Sequence, residues 1–454
     1  MKRNLMLMTV LLIVLAAGAQ AEVAITVYNQ DLGLVRDRRA LEFEKGEFDL
    51  KYTNIPSSID PTSVHFKLLD NPDAAALLEQ NYRYDLVSAS KILQKFIDSE
   101  IEITAVAGDQ GKFYSGKLLA FDGSNITLLT DDGGVKVIEL KWVSDVSFAK
   151  LPEGLITKPT LVWKFLSDVS GEQNTEVSYL TRNINWHAEY VAVVSSDDKM
   201  LDLSGWVSVD NRTGATYDDA KLKLIAGDVN ILRDRPPPRL AKGAYDITVM
   251  AEGAAGFEEK AFFEYHLYTL PRKTTIANNE IKQIALFEPA TTPVDKVFVY
   301  EGRRYGKDVR IILEFTNSKE RGLGMPLPAG KLRVMKRDTD GLMEFIGEDR
   351  IDHTPKDEDL SVYLGNAFDI VGERNVMDRQ KITDKMTEET IEIELRNHKE
   401  EDITVKVVER LGRFWKILDS TFEYKKKDAS TVEFFIPVST DGESILTYTV
   451  RTWY

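Results

Sequence analysis

The residues able to do chemistry are few, and most stand alone. Five histidines, His65, His187, His266, His353 and His398, form no i, i+2 or i, i+4 pair of the kind that seeds a metal site. Each reads more simply as a surface or hydrogen-bonded histidine than as a ligand. Asp131-Asp132, Asp197-Asp198 and Asp218-Asp219 are adjacent pairs. Neighbours in an extended chain point to opposite faces, so none is by itself a glycosidase acid/base pair. Asp338-Thr339-Asp340-Gly341 with Glu344 looks like part of a calcium loop. It lacks a third oxygen ligand before the glycine and a distant glutamate, which leaves an Asp-rich turn. Gly330-Lys331-Leu332 has neither the spacing nor the hydroxyl of a phosphate loop, and no G-x-S-x-G or H-E-x-x-H occurs. The acidic run from Asp349 to Asp359, with His353, reads as a solvated loop.

One region is concentrated. Tyr179 to Tyr190 carries three large aromatics, two amides and a histidine, and Leu203 to Gly214 adds Trp206 and Asp210. Trp186, His187, Trp206 and Asp210 are the binding constellation to test first, because aromatic faces beside amides and carboxylates suit a sugar ring. The plainer reading makes Trp186, Tyr190 and Trp206 core anchors, since aromatics bury large areas. Asn183, Asn185, Asp210 and Asn211 then serve turns, replacing missing backbone partners.

Composition removes whole classes of function. The 454 residues carry a formal charge of −15, which repels phosphate backbones and argues against a nucleic-acid partner. With no cysteine, disulfides, thiol nucleophiles and Cys-ligated zinc are excluded. Residues 1–21 read as a secretory signal: Lys2 and Arg3, then an apolar core from Leu5 to Ala17, then Ala19-Gln20-Ala21. The rival is an uncleaved anchor, for which the apolar run is short. The expected location is periplasmic or extracellular, with no transmembrane span in the mature chain and no cofactor or metal.

Period-2 alternation dominates the rest. Val23 to Tyr28 and Phe48 to Tyr52 open it; Ile391, Ile393 and Leu395 are answered by Ile403, Val405 and Val407, which reads as a hairpin; Ile445 to Arg451 closes it. The series Leu446, Tyr448, Val450, Thr452, Tyr454 alternates and ends on an aromatic as outer-membrane strands do, but the strands before it are often charged on both faces or irregularly spaced. Helical spacing appears at Pro72 to Gln80 and at Ser88 to Phe96, where Ser88 can cap. Val371 to Glu389 reads as a loop or short surface helix. Between Ile92 and Leu151, five short strands joined by glycine turns resemble a small SH3-like or Sm-like barrel. Pro236-Pro237-Pro238 and Ala251 to Gly256 mark a linker. The expected fold is mainly β: antiparallel β-sandwich domains with an inserted small barrel. The segments are 1–21 (signal), 22–87 (strands completing the first sandwich), 88–151 (barrel), 152–235 (first sandwich), 236–307 (linker and bridging strands) and 308–454 (Ig-like sandwich).

Three segments, Tyr179 to Tyr190, Leu203 to Gly214 and Thr216 to Leu224, together resemble domain-of-unknown-function family 4139, the mucoidy inhibitor A-like proteins. The likeness rests on Trp186 followed four residues later by Tyr190, a strand ending in Asn211 and Gly214, then Asp218-Asp219 before a Leu-x-Leu strand. Phe263 to Pro271 and Phe298-Val299-Tyr300 fit later strands of the family. Many such proteins carry a long coiled coil where this chain has its small barrel. The resemblance implies an exported envelope protein of β-sandwich fold without an assigned reaction. The functional expectation is a non-enzymatic envelope interaction or scaffold protein. The alternative is an envelope carbohydrate-binding or carbohydrate-active protein, and the expected partner is an envelope protein or glycan.

Overall fold

Alternating apolar residues become strands when each can bury one face, and here almost every alternating run does so. The architecture comes from a computed structural model that describes residues 21–107, 110–149, 156–227, 229–231, 257–263, 265–338 and 341–453. The signal-like residues 1–20, the Pro236-Pro237-Pro238 linker, Ala251 to Gly256, Thr339, Asp340 and Tyr454 lie outside the described residues.

The strand Glu22–Tyr28 lies inside an eight-stranded sheet. It pairs antiparallel with Leu32–Phe43, Ile25 opposite Val35, and parallel with Tyr217–Ala226, Ile25 beside Leu222. Leu32–Phe43 in turn pairs with Gly171–Thr181. A three-stranded sheet places Thr160–Ser167 between Gly46–Tyr52 and Ala75–Arg83. A five-stranded sheet runs in the order Glu280–Pro293, Met200–Asn211, Ile184–Val194, Gly330–Arg337, Met343–Ile351. These three sheets share one core, in which Ile25, Trp163, Trp186, Tyr190, Leu222 and Leu332 are all buried. Strands packed face to face over a common apolar layer make the arrangement sandwich-like.

The helix expected over Pro72 to Gln80 does not form. Ala75–Arg83 is a strand against Thr160–Ser167, with Leu77 opposite Phe165. Cross-strand burial overrides a helical spacing that, without tertiary partners, carries little free energy. The second helix does form over Ala89–Lys95, and the Ser88 hydroxyl accepts from the Lys91 N–H at 3.2 Å.

That helix introduces the insert. Its five strands run Val143–Ser147, Glu100–Ala107, Gln110–Phe121, Asn125–Thr130, Val135–Glu139, all antiparallel. Ile101, Ile103, Leu118, Ile126 and Leu128 form a separate core, covered by Leu93 and Phe96 from the helix. The ladder is an open path: Val135–Glu139 and Val143–Ser147 follow one another through a short turn at Leu140–Trp142 without pairing. Barrel closure is therefore not part of the observed ladder.

The C-terminal part is a nine-stranded sheet that starts with Asp295–Tyr300. Here the expected hairpin is absent. Ile391, Ile393 and Leu395, on Met386–Asn397, pair with Asp359–Thr383 and Gly442–Trp453. Ile403, Val405 and Val407, on Ile403–Arg410, pair with Thr431–Val438 and, in parallel, with Asp295–Tyr300. Both sets still meet in a single core, because the two halves of the sheet face each other across it. Val371 to Glu389 is likewise neither loop nor helix but the far part of Asp359–Thr383 and its return. Charged residues on both faces hid that ribbon, most of which is exposed to solvent. The strand Asp359–Thr383 also links the two cores: Leu360 and Val362 enter the first, and Ile370 the second.

Candidate functional site

The backbone register divides the four candidate residues between two faces. Trp186 is opposite Val209, His187 opposite Ser208, Glu189 opposite Trp206 and Asn185 opposite Asp210. Directly opposed residues share a face and successive ones alternate. His187, Trp206 and Asp210 consequently sit together on the outer face of the five-stranded sheet, while Trp186 points into the core.

Trp186 is an anchor. Its indole is 2% exposed, donates to the Ile225 carbonyl at 3.1 Å and meets Tyr268 edge-on at 6.1 Å. Tyr190, fully buried four residues on, donates its hydroxyl to the Pro328 carbonyl at 2.7 Å. Trp206 is half-buried and follows a bulge at Gly205 that shifts the register with Glu280–Pro293. Gly205 has to be glycine because a Cβ there would lie 2.4 Å from the Phe287 ring. Asp210 is held by Arg212 at 3.0 Å, within its own strand end. Of the expected turn amides, Asn183 occupies a left-handed turn at φ 58° and Asn211 ties a loop, whereas Asn185 and Asp210 lie within the ladder.

On the outer face the charged centre is Glu189. Its carboxylate accepts from Gln283 at 2.9 Å and from the Ser208 hydroxyl at 3.3 Å. His187 Nε2 lies 3.6 Å away and an Arg333 nitrogen 3.8 Å. Interaction with His187 first, and then with Arg333 and Ser208, outweighs burial and lowers the Glu189 pKa to about 2. Arg333 also pairs with Glu348 at 3.5 Å, and Lys331 with the same carboxylate at 3.6 Å. His187, Glu189, Lys331 and Arg350, with Ala329 and Asp352, line an open cleft of about 520 Å³. Ser208 donates its hydroxyl to this carboxylate and is itself almost fully buried. The charges of this face are largely matched against one another.

Alternation could have exposed Glu189, two residues from His187. Gln283 and Arg333 come from strands 94 and 144 positions away from Glu189 and join it only through register. His353, read as part of a solvated run, instead takes the Ala329 N–H on Nδ1 at 3.1 Å and lies 3.3 Å from Asn29 Nδ2. Asp349 in the same run accepts from the Tyr363 N–H at 2.8 Å. Among the described residues no three His, Asp or Glu side chains converge as a metal site, and no helix is long and apolar enough to cross a membrane. His187 and Val207 lie on inner strands of the sheet, away from its edges.

These features define a mainly β, sandwich-like protein with a polar, internally compensated sheet face. The model of a domain of unknown function, DUF4139, matches residues 175–413, and the chain belongs to that family. The matched span contains the whole five-stranded sheet and most of the nine-stranded one, while the N-terminal strands and the insert precede it. No curated protein matches the chain.

Proposed function

We propose that this is an exported, non-enzymatic protein of the bacterial cell envelope that binds a partner protein along a sheet edge. The observation carrying this reading is the outermost strand of the five-stranded sheet, Met343–Ile351. Met343 and Phe345 are each 56% exposed at its start. Further along, the neighbouring chain takes over: a Cβ on Gly347 would meet the Leu364 carbonyl at 2.6 Å. An edge with open backbone groups and apolar side chains is a template for strand addition. The burial of Trp186 supports the same choice, because it removes one of the two indoles a sugar-binding surface would have used here.

The test is co-purification of the tagged chain from its own envelope, with washes at low and high salt, beside the Met343→Glu/Phe345→Glu double variant. The expected result is a stoichiometric protein retained through high salt and lost from the folded variant. Equal retention by the variant, or glycan held without protein, would count against it. Sequencing the N-terminus of the recovered chain checks the export reading, for which cleavage after Ala21 is expected.

A further inference from the structure

A second cleft lies on the nine-stranded sheet, away from the face just described. Its volume is about 210 Å³. Among the described residues, Arg303, Arg379 and Arg413 line it with a single carboxylate, Glu389, and with Phe414 and Trp453. Three guanidiniums to one carboxylate is a local excess of positive charge in a chain of net charge −15.

The partners of each arginine show how much of that charge is spare. Glu389 is shared, with Arg379 at 3.0 Å and Arg303 at 3.5 Å. Arg303 also lies 3.9 Å from Glu409. That fully buried carboxylate already takes two hydrogen bonds from Arg374, at 2.9 and 3.1 Å, and one from the Tyr448 hydroxyl at 2.6 Å. Its charge is matched without Arg303. Arg413 has no carboxylate partner among the described residues; its guanidinium lies 5.5 Å from the Phe414 ring. Phe414 and Trp453 oppose each other across strands, their rings nearly parallel at 12° and 6.4 Å apart. A flat aromatic wall beside unspent planar donors suits a ring that carries an oxyanion, and guanidinium forks match a carboxylate.

We propose that this cleft binds a carboxylate on a ring-sized body, the chemistry of an acidic sugar unit, with Arg413 and Arg379 on the carboxylate and Phe414 and Trp453 against the ring. The experiment is a titration of the full chain with D-glucuronate, followed by tryptophan fluorescence. Glucose and inorganic phosphate at matched ionic strength separate the ring from the charge. Saturable binding of glucuronate is expected, with glucose and phosphate each much weaker. Arg413→Ala, an exposed change that leaves the fold alone, should weaken binding about tenfold, and Arg413→Lys by less. Arg36→Ala, on the first sheet, should match the wild type. Absence of glucuronate binding, equal affinity for glucose or phosphate, or an unaltered affinity in Arg413→Ala would each overturn the proposal.

Discussion

Two tryptophans on opposite faces of one sheet separate packing from surface chemistry residue by residue. Trp186→Ala removes a buried indole and its hydrogen bond to Ile225, a loss of about 3 to 5 kcal/mol. Trp206→Ala, at a half-buried position, should cost far less, and chemical unfolding of both variants measures the contrast. Glu189 adds a pH dependence with a defined sign. Its carboxyl titrates near 2 in the folded chain against an ordinary 4.5, so folding favours the ionised form. That stabilisation is complete above about pH 4.5 and is lost as pH falls toward 2. For a side chain 19% exposed, screening leaves roughly 1 to 2 kcal/mol of it. Glu189→Gln should flatten this part of the acid limb in urea unfolding series, and parallel limbs for variant and wild type would refute the assignment.

Strand ends are secured by a recurring amide device. Asn211 and Asn397, both fully buried, each terminate a strand. Each Oδ1 accepts from the N–H two residues on, Thr213 at 3.2 Å and Lys399 at 3.0 Å. Each Nδ2 reaches the carbonyl four residues on, Ala215 at 3.0 Å and Glu401 at 2.9 Å. The same amides also bridge to another segment, at Ile276 and Ala277 for Asn211 and at Val438 and Ser439 for Asn397. Asn397→Ala should therefore cost about 2 to 3 kcal/mol by stranding buried carbonyls. Asn397→Asp should do no better, since a carboxylate cannot donate; unfolding midpoints decide. The alternation of Ile391, Ile393 and Leu395 was enough to read a strand, and Asn211 was legible as a turn residue. Which strand Ile403 would face was not, because pairing depends on where a connection carries the chain and not on its local pattern. The outer-face cluster was half legible for the same reason: His187 and Glu189 are neighbours in sequence, whereas Gln283 and Arg333 are brought in by register.

At the scale of the whole molecule, the insert is an independent unit by its core and by its attachment. None of the residues in its core belongs to either of the other two. Its two ends run side by side, with the Val87 N–H on the Ile156 carbonyl at 3.0 Å and the Ile156 N–H on the Asp85 carbonyl at 3.2 Å. Replacing residues 88–155 by a short Gly/Ser link should leave a folded remainder with one cooperative transition fewer. Residues 88–149 alone should melt as a unit, and calorimetry of both products checks this; an insoluble remainder would argue against it. The place of Glu22–Tyr28 bears on how the chain is made. Ala24 pairs beside Lys221, so one edge of that early strand waits for about 200 further residues, on the order of 10 to 40 s at ordinary synthesis rates. The insert, built from local hairpins, has its full set of partners long before then. The nascent chain thus passes through a state in which a later module is complete while the first strand still exposes an apolar edge, and that interval is where a holding chaperone would act.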